Sequence, residues 1–191
     1  MIKSRIHLFG GALLLTAFAL TVRLGAAVTV PEYPELPAHP QSSEDGASRL
    51  VEQVRAATAI FRDVNQAVGY TPFGGCVSGP ESGAMGVHFV NSTFLEDGEI
   101  AVDKPEALIY EFKNGGARLV GVEYIVLAEK WDPAHLDPRV PPVLEGQLFQ
   151  FNDSPNRFRL PAFYELHVWA WRENPNGAFV DWNPQVSCEK Q

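Results

Sequence analysis

Two apolar runs joined by a glycine turn stand at the centre of the chain: Ala107-Leu108-Ile109-Tyr110-Glu111-Phe112, Asn114-Gly115-Gly116 and Leu119-Val120-Gly121-Val122-Glu123-Tyr124-Ile125-Val126-Leu127. The β-branched and aromatic side chains in both runs favour strands. Asparagine followed by glycine is typical of the tight turn between two antiparallel strands. This stretch therefore predicts a β-hairpin.

The register of the hairpin decides whether Glu111 and Glu123 lie on one face of the sheet. A two-residue loop at Gly115-Gly116 would pair Glu111 with Val120 and put the two acids on opposite faces. A three-residue loop, Asn114 to Gly116, would pair Glu111 with Leu119 and put the acids on the same face. The sequence is compatible with both registers.

Further strands are predicted on both sides of the hairpin. They cover Met85 to Asn91, Gln147 to Phe151 and Ala162 to Trp171, of which the last is the longest and most aromatic. Glycine, proline and asparagine predict loops between the strands, and these loops cover residues 71–83, 131–146 and 174–188.

One clear helix is predicted over residues 43–68, and Gly69 follows it as expected beyond a helix C-terminus. Its apolar residues recur four and three apart: Leu50, Val54, Ala57, Phe61, Val64 and Val68. A helix followed by five or six antiparallel strands is an α+β arrangement. We therefore expect an N-terminal amphipathic helix that packs on an antiparallel β-barrel or jelly-roll-like sheet.

The N-terminal residues predict export. Residues 1–27 resemble a secretory signal peptide, since two basic residues precede the uncharged run Leu8 to Val22 and the small residues Gly25-Ala26-Ala27 follow it. Arg23 lies between the run and this cleavage site, which leaves an uncleaved anchor as the alternative. Residues 28–46 predict a proline-rich tether, and residues 47–191 a single α+β domain. We expect a periplasmic or secreted protein with no stable membrane span after cleavage.

The chain has only two cysteines, Cys76 and Cys188. An even pair in an exported protein predicts a disulfide. A metal or redox pair is the alternative, but the chain has no Cys-x-x-Cys motif and neither cysteine has a neighbouring histidine. The net charge of −8, without a Lys/Arg cluster, argues against nucleic acid as a partner.

Two histidines and two acids lie inside the predicted strands. His88 and His167 are near the middle of their strands, and Glu111 and Glu123 lie among apolar residues, where an unpaired carboxylate is costly to bury. Neutral imidazoles with one or two carboxylates suit a divalent transition metal that keeps an open position for water or substrate. We therefore predict a metal site formed by His88, His167, Glu111 and Glu123, in which copper, zinc and iron are not distinguished, and a metal-dependent enzyme is one interpretation.

A non-catalytic domain that binds a small molecule or a protein through an aromatic pocket is the alternative interpretation. In the last strand, alternation puts Glu165 on the same face as His167, among bulky aromatic residues. The predicted pocket consists of Glu165, Tyr110, Tyr124 and Trp169. His88 and His167 would then be structural or substrate-binding residues, and the identity of a protein partner does not follow from the sequence.

Several motifs together resemble a family of exported bacterial proteins of unassigned function. They are Gly86-Val87-His88-Phe89-Val90-Asn91, Tyr110-Glu111, Val122-Glu123-Tyr124, Leu166-His167-Val168-Trp169-Ala170-Trp171, Asn174-Pro175 and Trp182-Asn183-Pro184-Gln185-Val186-Ser187-Cys188. The resemblance covers about residues 47–188. It implies membership of that family and no particular activity.

Overall fold

The computed structural model describes residues 43–79, 81–135 and 140–189, and the predicted signal peptide lies outside them. The elements in chain order are α1 (Ser43–Thr58), β1 (Thr71–Gly79), β2 (Gly83–Val90), α2 (Ser92–Asp97), β3 (Ala107–Lys113), β4 (Gly116–Leu127), α3 (Ala128–Trp131), β5 (Val143–Leu144), β6 (Gln147–Leu148), β7 (Gln150–Asn152) and β8 (Phe163–Val168). Short 3-10 turns cover Ala59–Arg62, Val64–Gln66 and Asp132–Ala134. No helix within the described ranges is long and apolar enough to cross a membrane.

Six strands form one antiparallel sheet in the order β1-β2-β3-β4-β8-β7, while β5 and β6 form a separate pair. The mixed α and β prediction with an antiparallel sheet is confirmed. Within the described residues the edge strands β1 and β7 do not pair with each other, so the sheet is a curled half-barrel.

The predicted hairpin is present as β3 and β4, but its turn differs from both expected loops. The loop consists of Asn114 and Gly115, whose φ angles of 53° and 76° are those that a two-residue hairpin turn requires. Glu111 pairs with Arg118. A register shift beside Ile109 then makes Ala107 the partner of Glu123. Because of this bulge, Glu111 and Glu123 lie on the same face of the sheet.

The prediction of a loop over residues 71–83 was wrong, since β1 occupies Thr71–Gly79 and β2 begins at Gly83. β1 is an edge strand that pairs only with β2, and its register is interrupted between Phe73 and Val77, around Gly74 and Gly75. Glycines that would weaken a central strand are tolerated at an irregular edge. The glycine content therefore indicated a loop where a bulged strand is present.

The predicted helix over residues 43–68 ends at Thr58 and continues as 3-10 turns. Thr58 Oγ1 donates a hydrogen bond to the carbonyl oxygen of Val54, and this local bond competes with the helical backbone. Val68, the last residue of the predicted apolar stripe, is 83 % exposed. Leu50 and Val54 are fully buried and belong to the main apolar cluster.

The two faces of the sheet have different surroundings. The main apolar cluster contains Leu50 and Val54 together with alternating residues of β3, β4 and β8: Leu108, Tyr110, Leu119, Val122, Tyr124, Val126, Tyr164, Leu166 and Val168. The opposite face carries a smaller apolar cluster formed around Ala107, Ile125, Leu127 and Phe163. The second face also carries the buried polar residues His88, Glu123, Glu165 and His167.

Candidate metal centre

Strand β8 brings Glu165 and His167 to the second face of the sheet. Because side chains alternate along a strand, these two residues point to the same side as Phe163. In the pairing of β8 with β4, His167 lies directly opposite Glu123, and Glu165 lies opposite Ile125. The strand ends at Val168, so the predicted extension to Trp171 was wrong, and the indole of Trp171 instead donates to Thr58 Oγ1.

His88 reaches the same place from β2, with β3 between it and β4. Ile109 of β3 pairs with His88, and Ala107 of β3 pairs with Glu123. Ala107 carries only a methyl group, which leaves space above β3 for the side chains of its neighbours. The sheet therefore brings together three residues that are widely separated in sequence.

The donor atoms of His88, Glu123 and His167 lie close to one another. His88 Nε2 is 3.3 Å from Glu123 Oε2, and His167 Nδ1 is 3.7 Å from Glu123 Oε1. One ligand atom from each residue lies within 4.8 Å of those of the other two. The two imidazole rings are nearly perpendicular, with centroids 5.8 Å apart. Both histidines thus approach one carboxyl group from different directions.

The ring nitrogens of both histidines are buried and have no hydrogen-bond partner among the residues that the structure describes. His88 is 4 % exposed and His167 is 1 % exposed, and each has both Nδ1 and Nε2 unpaired. A buried polar atom without a partner is costly and rare in native proteins, and such atoms often contact a bound water or ion. Four such ring nitrogens beside one buried carboxyl group form a set of donor atoms that could bind a metal ion.

Burial also decides the protonation of these groups. Desolvation lowers the pKa of His88 to about 4, and it lowers the pKa of His167 well below the usual value, with a further contribution from His88. The pKa of Glu123 is raised well above its usual value by burial and then by the neighbouring Glu165. At neutral pH the imidazoles are therefore uncharged, and uncharged imidazole is the form that binds metals.

A second set of polar residues also lies beside Nδ1 of His167. Asp181 Oδ1 is 3.8 Å from His167 Nδ1, and Glu165, His167 and Asp181 form a further group able to hold a metal. Asn152 donates a 2.7 Å hydrogen bond to Glu165 Oε1, and Gln150 donates to Asp181 Oδ1. Burial and the nearby Glu165 raise the pKa of Asp181.

A small cavity of about 30 Å³ ends on His88 and Glu123. The other lining side chains are all apolar: Phe73, Val77, Val90, Leu95, Ile125, Phe158, Leu160 and Phe163. The edge of the Phe158 ring faces His88, with centroids 6.4 Å apart. One side of the three-residue group is thus apolar, whereas the side at Asp181 is polar.

The structure brings together only part of the predicted metal site. His88, Glu123 and His167 converge, whereas Glu111 is not among the described groups able to hold a metal. Glu111 is four positions along β3 from Ala107, the partner of Glu123, which corresponds to about 13 Å along the strand. Glu111 Oε1 instead accepts a hydrogen bond from the backbone N–H of Ser187.

The four residues of the predicted pocket are also divided. Tyr110 and Tyr124 belong to the main apolar cluster on the opposite face, where their hydroxyl groups donate to the carbonyl oxygens of Phe61 and Val102. Glu165 borders the metal-ligand group, and the ring centroid of Trp169 is 6.0 Å from that of His167.

Sequence reasoning missed Asp181 and Asn152 in the site and Glu106 near it. Asp181 lies in the turn-rich segment before Cys188, where no periodicity predicts which side chains face the sheet. Glu106 precedes β3 beside Pro105 and is 1 % exposed, and its Oε2 accepts a 2.8 Å hydrogen bond from the N–H of Ile125. Its position directly before an apolar run was the available signal.

Comparisons with known proteins do not assign this chain to a family. No protein-family model matches the chain, and no significant similarity was found to curated proteins or to solved structures. The chemistry of the site therefore has to follow from its own residues.

Proposed function

We propose that His88, Glu123 and His167 bind one divalent transition-metal ion. The observation that carries this proposal is the set of four buried ring nitrogens without hydrogen-bond partners. A metal ion would supply a partner to one nitrogen of each ring and would stabilise the ionised form of Glu123, which burial otherwise opposes.

The distances between the donor atoms support a single ion. Two ligand atoms that are each about 2.1 Å from a metal lie about 3.0 Å apart at a right angle and about 3.4 Å apart at the tetrahedral angle. The observed separations of 3.3 Å and 3.7 Å, each to a different oxygen of Glu123, are close to these values. Because all three residues are buried, an ion bound to them would be shielded from bulk water.

Two histidines and one carboxylate leave positions open on the metal. Zinc in hydrolytic enzymes and non-haem iron in oxygen-dependent enzymes both use this ligand combination. Zinc would polarise a bound water or carbonyl group, while iron or copper would support redox chemistry. We propose a metal-dependent enzyme. The second candidate is a non-catalytic domain that binds a small molecule or a protein, and the apolar cavity favours this second candidate.

We also propose that the protein acts in the periplasm or outside the cell, as the signal-peptide pattern of residues 1–27 predicts. The Cys76–Cys188 disulfide supports this location, because such bonds persist in oxidising compartments. In such a compartment the metal would be bound after export or during it.

The test is metal analysis of protein exported to the periplasm, with chelator treatment followed by reconstitution with zinc, iron(II) or copper(II). We expect one ion per chain in the parent protein. His88→Ala, His167→Ala and the nearly isosteric Glu123→Gln should each lose at least about tenfold in metal affinity, since each removes one of three ligands.

Two residues of the same types serve as matched controls. His135 stacks on Trp131 with centroids 3.7 Å apart, and Glu111 accepts from Ser187, so neither belongs to the group. His135→Ala and Glu111→Gln should keep the metal. Full metal content in His88→Ala and His167→Ala, or none in the parent with any of the three metals, would contradict the proposal.

A further inference from the structure

The apolar cavity beside His88 and Glu123 is small, and its chemistry differs from that of the polar side of the site. We propose that it is the binding position for a small uncharged diatomic molecule of the dioxygen class, next to the metal. This inference rests on the proposed metal centre and names the kind of ligand that would occupy its open position.

The volume limits the size of the ligand. The centre of a water-sized probe can move through about 30 Å³ of the cavity, so there is room for more than one water molecule but only for a ligand of few atoms. A diatomic molecule fits this space, and its short length allows it to contact the metal from within the cavity.

The lining excludes charged and strongly hydrated ligands. Among the described residues that line the cavity, only His88 and Glu123 are polar, and a bound metal would occupy donor atoms of both. A charged ligand would lose its hydration and find no other polar partner in the wall, which is costly. An uncharged diatomic molecule loses little by leaving water, so this lining selects for it.

The position of the cavity gives the ligand access to the metal. His88 and Glu123 line the cavity and supply two of the three proposed ligands, whereas His167 does not line it and has Nδ1 3.7 Å from Glu123 and 3.8 Å from Asp181. An open position on the metal between the first two residues would therefore point into apolar surroundings. The polarity and steric access of such a cavity are what decide whether a metal binds a diatomic gas.

Nitric oxide is a suitable probe, because it is an uncharged diatomic molecule and forms a spectroscopically distinct complex with non-haem iron(II). The protein is loaded with iron(II) without oxygen and titrated with nitric oxide, and the iron–nitrosyl signal is followed by electron paramagnetic resonance. We expect saturable binding of one nitric oxide per iron in the parent protein.

Filling the cavity should block nitric oxide without removing the metal. Val77 belongs to the edge strand β1, so Val77→Phe adds bulk to the cavity with little change to the central sheet. We expect it to weaken nitric oxide binding by about tenfold or more at unchanged iron content. Val143→Phe is the matched control, because Val143 is exposed and does not line the cavity, and it should bind nitric oxide like the parent.

Leu160→Phe fills the cavity from the segment between β7 and β8 and keeps the test decisive if Val77→Phe does not fold. Iron-loaded parent protein that binds no nitric oxide, or filled variants that bind it as tightly as the parent, would overturn the inference and leave the metal centre standing. Protein that binds zinc but no iron would also overturn the inference and leave the metal centre standing. A chain that retains no metal would overturn both proposals.

Discussion

Buried ring nitrogens that lack hydrogen bonds can indicate that a histidine binds a ligand, and His88 and His167 both have such nitrogens. An isolated histidine inside a protein usually has a hydrogen bond to a carboxylate, a carbonyl group or water, and that bond fixes its tautomer. Here each ring lies within 4 Å of a carboxyl group and yet forms no hydrogen bond. Each ring instead has one nitrogen within 4 Å of the Glu123 carboxyl group, and this arrangement is the reason for proposing a metal ion there.

Glu106 provides a prediction that does not depend on the metal. Burial raises its pKa from 4.5 to about 8 in the folded protein. The folded state therefore holds a proton that the unfolded chain releases above about pH 4.5, so the contribution of Glu106 to stability is fully present below that pH. As the pH rises towards 8, this contribution is lost at about 1.4 kcal/mol per pH unit.

Glu106→Gln should remove that loss, because the amide oxygen can still accept from the N–H of Ile125 and carries no titrating proton. Urea unfolding of the metal-free protein between pH 5 and 8, followed by circular dichroism, compares the two proteins. We expect the stability of the variant to fall less steeply than that of the parent. Parallel curves over this range would show that Glu106 does not titrate differently in the folded state.

Strand alternation explains which part of the site could be predicted. In β8 the period of two correctly put Glu165 and His167 on one face, and the residue types of His88 and Glu123 indicated the metal. The bulge beside Ile109 could not be predicted, because the sequence of β4 is apolar on both faces and gives no preferred register there. That bulge puts Glu123 on the same face as His88, while the pairing of β4 with β8 puts it opposite His167.

The hairpin turn between β3 and β4 gives a prediction about a whole element. Gly115 has a φ of 76°, and a Cβ atom added there would contact nothing within 4 Å. Gly115→Ala should therefore cost only the strain of that backbone conformation, about 1 kcal/mol. Gly116 is the matched control, because its φ is not positive and the nearest atom to an added Cβ is 3.7 Å away.

Urea unfolding of both variants measures this difference, and we expect Gly116→Ala to differ from the parent by no more than a few tenths of a kcal/mol. Equal losses in the two variants would mean that the turn does not need the left-handed conformation at Gly115. The metal content should be unchanged in both, since the turn lies at the far end of the hairpin from Glu123.

The C-terminal segment connects the fold to the polar side of the site. The disulfide joins Cys76 in β1 to Cys188, as the sequence predicted, and Asn183 forms two backbone hydrogen bonds with Ala84 in β2. This attachment holds the segment that carries Asp181 against the sheet. The two cysteines predicted the link, but neither spacing nor composition indicated that the linked segment would place an acid 3.8 Å from His167.

Removing the disulfide should lower the stability of the fold and leave metal binding unchanged. The disulfide closes a loop of 112 residues, and in the chain-entropy model such a cross-link contributes about 4–5 kcal/mol. The double variant Cys76→Ala/Cys188→Ala should therefore unfold at a much lower urea concentration than the parent.

The three proposed ligands lie on β2, β4 and β8, which remain paired through the sheet without the disulfide. We accordingly expect the folded double variant to bind one metal ion per chain, as measured by metal analysis in the absence of urea. If the variant is folded by circular dichroism but binds no metal, the C-terminal segment supplies an essential ligand, and Asp181 is the residue that its position identifies.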